Sequence, residues 1–240
     1  MTGQLIEHDS IKAARILDSA RELALRHGVR KVTIAEIAKS AGVGKGTVYL
    51  YWETKEDLFM GLITREVLAW IDTINAQIAQ DPHTILPRNL APLLIRTTLG
   101  NPWLRWVRND DSALRQLVHR PADQQRFIDA SPSAMANVVT TTLRAHGIVR
   151  DDLPEPQQRY AIHALLVGFS TVMADPPSSG PIEIDDPETV LAEVVHLLLE
   201  PPTYPADGVI AAAAETVRAR FTEIRDGLLS LITTGAAGTR

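Results

Sequence analysis

The stretch TIAEIAKSAGVGKGTVYLYWETKED, residues 33–57, constrains this chain more than any other. Thr33 followed three residues later by Glu36 is a capping box, the reciprocal pairing that opens a helix. Ile34, Ile37, Ala38 and Ala41 then recur at i, i+3, i+4 and i+7, one face of a helix. Gly42-Val43-Gly44 breaks that helix, with Val43 read as the plug of the turn. A second short helix is expected over Lys45–Trp52, with Val48, Tyr51 and Trp52 facing inward. Thr54-Lys55-Glu56-Asp57 is another cap signature, and no proline follows until Pro82. The helix it starts therefore spans about 25 residues, or about 38 Å. Helix, glycine-containing turn and helix make a helix-turn-helix. The plain alternative is an αα-hairpin in a bundle. Against it, Lys45, Gly46, Tyr49 and Leu50 fall on the outer face, a basic, bare and aromatic set that a bundle helix seldom presents.

The glycines, lysine and threonine of AGVGKGTVYLYW also suggest a nucleotide phosphate loop. That loop needs G-x-x-x-x-G-K-[ST] after a buried strand. Here Gly46 follows Lys45, Lys39 stands where the first glycine belongs, and the preceding segment has helical spacing. The charge distribution points to a different polyanion. Residues 10–55 hold nine Lys and Arg against four acids, a net of +5, whereas the whole chain is at −5 and the remainder therefore at −10. A basic head on an acidic body implies that the head alone meets a polyanion. Residues 10–27 supply the head's first helix, with Ala13, Ile16, Leu17, Ala20 and Ala24 in one stripe, Ser10 as N-cap and Gly28 as stop.

The stretch VTIAEIAKSAGVGKGTVYLYWETKEDLF resembles the N-terminal domain of the TetR family of bacterial transcriptional regulators. Thr-Ile-Ala at the helix start, Ala-Gly-Val at the turn, Lys-Gly-Thr-Val-Tyr in the recognition helix and the aromatic pair before Thr-Lys-Glu-Asp-Leu carry the likeness, which covers residues 10–60. It implies an all-α fold: a three-helix DNA-binding head, residues 1–55, joined by a long helix to a helical effector-binding and dimerisation body, residues 56–240. Three positions depart from the family pattern. Gly44 replaces a serine cap, a change worth only a few tenths of a kcal/mol. Trp52 stands for the usual phenylalanine, and Leu50 for a frequent histidine. An exposed leucine there suits a thymine methyl instead.

Each head residue then has an expected role toward a double-stranded DNA operator. Thr33 caps its helix so that free backbone N–H groups face a phosphate. Gly46 lets the recognition helix approach the groove floor. Lys45 suits a guanine edge or a phosphate. Thr47 and Tyr49 offer hydroxyls to backbone oxygens, and the tyrosine ring a surface for a base methyl. Lys55 is placed to clamp a flanking phosphate, which the resemblance also implies. Tyr51 and Trp52 read as core. Such heads act in pairs on two half-sites.

The body reads as helices at 88–99, 109–120, 121–146 (with a break at Ser131-Pro132), 155–174, 187–199 and 205–234. The resemblance implies that 155–174 and 187–199 form a homodimer interface; interior core is the alternative. In 205–234, Ala212, Thr216, Ala219, Ile224, Leu228 and Leu231 suggest a seam that extends the dimer or covers a cavity. Candidates for a small apolar ligand are Trp70, Trp103, Trp106, Phe127, Met135 and Phe169, with Arg96, Arg105 and His163 as polar partners. Each taken singly fits core packing equally.

Nothing points to catalysis. No zinc-protease, nucleophile-elbow or dinucleotide motif occurs, cysteine is absent, and the seven histidines are scattered. No metal or cofactor is expected. No apolar run approaches membrane-spanning length and no leader precedes the first helix, so the expected location is the cytoplasm. The leading reading is a dimeric repressor released from a palindromic operator by a small apolar ligand. The alternatives are a DNA-binding regulator without such a ligand, and a helical enzyme or carrier.

Overall fold

A computed structural model describes residues 10–109, 132–175 and 184–235. Among them it contains ten α-helices, one 3-10 turn and no strand. In chain order the helices are α1 (Ile11–His27), α2 (Ile34–Ser40), α3 (Lys45–Tyr49), α4 (Lys55–Gln80), α5 (Pro87–Gly100), α6 (Pro102–Asn109), α7 (Pro132–Ala145), α8 (Glu155–Ala174), α9 (Pro187–Leu199) and α10 (Asp207–Gly235). The 3-10 turn, Pro82–Ile85, lies between α4 and α5. No described helix is long and apolar enough to cross a membrane.

The chain divides into two compact units. The first takes residues 1–69, 101–130 and 224–240; the second takes 70–100 and 131–223. Helices α4 and α10 each supply residues to both. In the first unit, Ser10 caps α1 by accepting from the Ala13 N–H, and Ala13, Ile16, Leu17, Ala20 and Ala24 are buried, the stripe the sequence predicts. The turn between α2 and α3 places Gly42 at φ 65°, a backbone region that L side chains avoid. Val43 is half-buried, and its N–H returns to the Ala38 carbonyl at 2.9 Å. Helix α3 stops at Tyr49, short of the expected Trp52. The N–H groups of Tyr51 and Trp52 both fold back to the Val48 carbonyl at 3.0 Å, tightening the last turn.

Two arrangements hold the rest of this unit. Trp52 is 5% exposed and packs on α4, where Gly61 leaves room for its indole. Glu66, also buried, takes Arg21 of α1 at 3.2 Å and accepts from the Asn101 amide at 2.9 Å. Asn101 in turn caps α6 by accepting from the Trp103 N–H. Trp103 is fully buried and stacks on Phe59 at 6.3 Å between ring centroids.

In the second unit α5 packs against α9 along a shared apolar face that includes Leu90, Leu94, Leu191 and Val195. Glu200 closes its end. Burial would push that carboxyl up, but the Arg88 hydrogen bonds, with His196 at 3.0 Å, outweigh it and hold it below the usual range. The buried face of α10 runs through Ile210, Ala213, Ala214, Val217 and Phe221 in this unit. Of the seam read from sequence, Ala212, Thr216 and Ala219 are exposed, Ile224 is half-buried and Leu228 is buried. The expected helix at 109–120 and the first part of 121–146 fall mainly outside the described residues, but α7 matches the latter's end.

Candidate nucleic-acid interface and apolar cleft

Helix α3 and the turn that follows it divide their residues sharply. Val48 is fully buried and Trp52 nearly so, whereas Lys45, Gly46, Tyr49 and Leu50 are exposed and Thr47 is half-exposed. The Tyr51 hydroxyl lies 2.6 Å from Ser10 Oγ, so the turn after α3 is tied to the start of α1. The outward set is thus presented on a support fixed by apolar packing and one hydroxyl pair.

Thr33 caps α2, but its groups are engaged. Its backbone N–H and its hydroxyl both donate to Glu36 Oε2 at 2.8 Å, and its Oγ accepts from the Glu36 N–H. These bonds hold the Glu36 carboxyl below the usual range. Lys55 donates to the Arg30 carbonyl at 3.2 Å, and its ammonium stands 6.0 Å from the Phe59 ring centre. An ammonium has three donors, so one bond to Arg30 leaves two for an anion. Exposed Lys12, Arg15, Arg30, Lys31 and Lys39 share the head with Lys45.

The second unit contains a different kind of site. An open apolar cleft, with about 40 Å³ of space within its walls, lies between α5, α7, α8 and α9. Leu90, Leu94, Val139, Leu143, Ile162 and Val195 are among its walls, and Thr140 is the one polar residue in the described lining. That hydroxyl donates to the Ala136 carbonyl at 2.8 Å, inside its own helix.

None of the nine residues named from sequence as ligand candidates lines this cleft among the described residues. Trp70 is buried in the second unit, donating to Thr97 Oγ at 3.0 Å, and Met135 is fully buried on α7. Arg96 is exposed and paired with Glu188 at 2.6 Å. His163 is exposed and Phe169 half-buried on α8. Trp103 and exposed Arg105 belong to the first unit, and Trp106 to α6. Phe127 lies outside the described residues. The aliphatic wall carried no distinctive sequence signal; only the apolar period of its helices hinted at it.

Residues 16–61 match the family described as bacterial regulatory proteins, tetR family. An uncharacterized HTH-type transcriptional regulator of Mycobacterium tuberculosis (strain CDC 1551 / Oshkosh) is 38% identical over 185 residues, 77% of this chain and 90% of that protein. The fatty acid metabolism regulator protein of Bacillus subtilis (strain 168) is 33% identical over 69 residues, 29% of this chain; the match spans 36% of that relative's length. The fatty acid degradation regulator FadR from Bacillus halodurans has a similar fold, with a TM-score of 0.54 at 21% identity over 77% of this chain and 96% of that one.

Proposed function

Because this chain belongs to the tetR family of bacterial regulatory proteins, DNA-binding regulators of transcription, we propose that it is a dimeric repressor released from a two-fold symmetric operator by a small apolar ligand. The observation that carries the DNA site is the division of α3: a buried inner face and an exposed outer one, in a stretch, residues 10–55, of net charge +5. Lys45, Thr47, Tyr49 and Lys55 would hold phosphates or base edges, and Gly46 would let the helix sit deep in the groove. Thr33 enters this reading as the residue that fixes α2, since its own donors are spent on Glu36.

Dimerisation rests on α8 and α9. Tyr160, Val167 and Val172 of α8 and Val190 and Leu197 of α9 are exposed, with Tyr160 at 75% and Leu197 at 71%. Apolar residues gathered on two neighbouring helices mark a protein–protein surface, and a second copy would cover them. The ligand reading rests on the cleft, whose walls favour an apolar occupant. For such a ligand to release DNA, it must bind two conformations of the body with different affinity. Helix α4, continuous from Lys55 to Gln80, is the element that would carry the change to the head.

Selection of bound sequences from a random DNA pool tests this. A two-fold symmetric consensus, with two chains per site by sedimentation, is the expected result. A non-symmetric consensus or a bound monomer would overturn the dimeric reading. Apolar compounds that fit the cleft should then lower affinity for that consensus; if none alters it, the regulator works without a small ligand.

A further inference from the structure

Two residues on the outer face of α3 have no explanation inside the chain. Leu50 is 83% exposed, the most exposed large apolar side chain among the described residues. Gly46 stands one turn earlier, and the Leu50 N–H donates to its carbonyl at 3.1 Å. Glycine is disfavoured in a helix relative to alanine, so a helical glycine usually has a local cause. Here there is none: Gly46 has no positive φ, and a Cβ built on it would meet no atom within 4 Å. The result is a bare strip of backbone beside a projecting isobutyl group, flanked by exposed Lys45 and Tyr49.

Resting on the DNA-binding reading above, we infer that Leu50 reads the C5-methyl group of a thymine in the major groove, with Gly46 bringing the helix close enough for the contact. Leucine has no donor or acceptor, so the hydrogen-bonding code of the groove is invisible to it. Only thymine offers a methyl group there; guanine and adenine present polar edges, and cytosine an amino donor beside a bare C5–H. Leucine against such an edge would strip water from it and return no hydrogen bond. The chemistry of the side chain therefore selects one base, and the positive head supplies the phosphate attraction that a methyl contact cannot.

The test uses the full chain and the operator selected from the random pool. Each thymine is replaced in turn by deoxyuridine, which removes the methyl and leaves the pairing edge intact, and affinity is read by fluorescence anisotropy. At one position in each half-site the unmodified protein should bind about fourfold more weakly, or about 0.8 kcal/mol at 1.4 kcal/mol per tenfold. Leu50→Ala should bind the thymine and uracil forms of that position alike, while its response at other thymines is unchanged. Leu50→Met, which keeps the apolar reach, should restore the difference. A melting curve for each variant checks folding, and Leu50→Gln repeats the loss with chain length retained. If Leu50→Ala keeps the full thymine preference, or weakens all probes equally with that preference intact, the contact is to the DNA backbone and the inference is wrong. A wild-type consensus indifferent to uracil everywhere also overturns it. A chain that selects no sequence at all would instead overturn the DNA reading beneath it.

Discussion

Gly61→Ala measures how tightly the head is built onto α4. A Cβ at position 61 would lie 2.9 Å from Trp52 Nε1 and 3.7 Å from Cε2. The indole is 5% exposed and has little room to retreat. Two effects compete. Alanine in mid-helix is favoured over glycine by about 0.5–1 kcal/mol, and overpacking a buried contact costs about 1–3 kcal/mol. The net expectation is a loss of about 0–2.5 kcal/mol. Leucine at position 52 has no atom at Nε1 or Cε2, so on a Trp52→Leu background the clash disappears and only the propensity remains. There Gly61→Ala should stabilise by about 0.5–1 kcal/mol. The cavity cost of Trp52→Leu is common to both arms and cancels, which leaves a coupling of about 1–3 kcal/mol. Denaturant unfolding of the four proteins, followed by far-UV circular dichroism, reads the cycle. If Gly61→Ala shifts stability equally in the two backgrounds, the close approach of glycine and indole has no energetic weight and the reasoning fails.

Gly46→Ala is the opposite case: with open space around the new methyl it should raise stability by about 0.4–1 kcal/mol and weaken operator binding, and a variant that binds as tightly would show that the helix does not sit deep in the groove. Lys45→Ala should leave the melting temperature unchanged and weaken binding, and it should reduce the slope of log affinity against log salt by about 2 for a dimer; an unchanged slope would remove Lys45 from the phosphate contacts. Arg88→Ala strips donors from the buried Glu200 and should cost about 1–2 kcal/mol, the lower part of the range because solvent screens the half-exposed guanidinium; unchanged unfolding would refute that role. His83 is raised by its hydrogen bonds to Asp81 and then Asp207. Its contribution to stability is complete below its unfolded value of about 6.5 and is lost as pH rises through the higher folded value. His83→Gln should therefore lower the melting temperature more at pH 5.5 than at pH 8.5, and an equal loss at both would exclude the charge.

Much of the fold was legible because its signals are local. The bounds 155–174 and 187–199 agree with α8 and α9, whose starts carry a proline in the first turn and, for α9, Asp186 accepting from the Thr189 N–H. The capping box of Thr33 and Glu36 needed only three residues to declare itself. Helix α3 was expected to be longer because Tyr51 and Trp52 fit its inner face; a tightened turn reaches the same burial with fewer helical residues. The sequence could not choose the inward face of α10, because Ala211–Ala214 supply apolar residues on every side. The exposed set on α3 followed from local spacing. The cleft did not, since apposition of α5, α7, α8 and α9 is long-range and its walls are ordinary aliphatic residues. The Arg30 carbonyl on Lys55 was likewise beyond pattern reasoning, because it depends on which rotamer a long side chain adopts.

The tie between Tyr51 and Ser10, together with the packing of Val48 and Trp52, has an evolutionary corollary. The head is held by buried and half-buried residues, whereas positions 45, 46, 49 and 50 stand in solvent. If those four positions read DNA as proposed, a copy made by gene duplication could drift there and acquire a new target sequence without passing through an unstable ancestor.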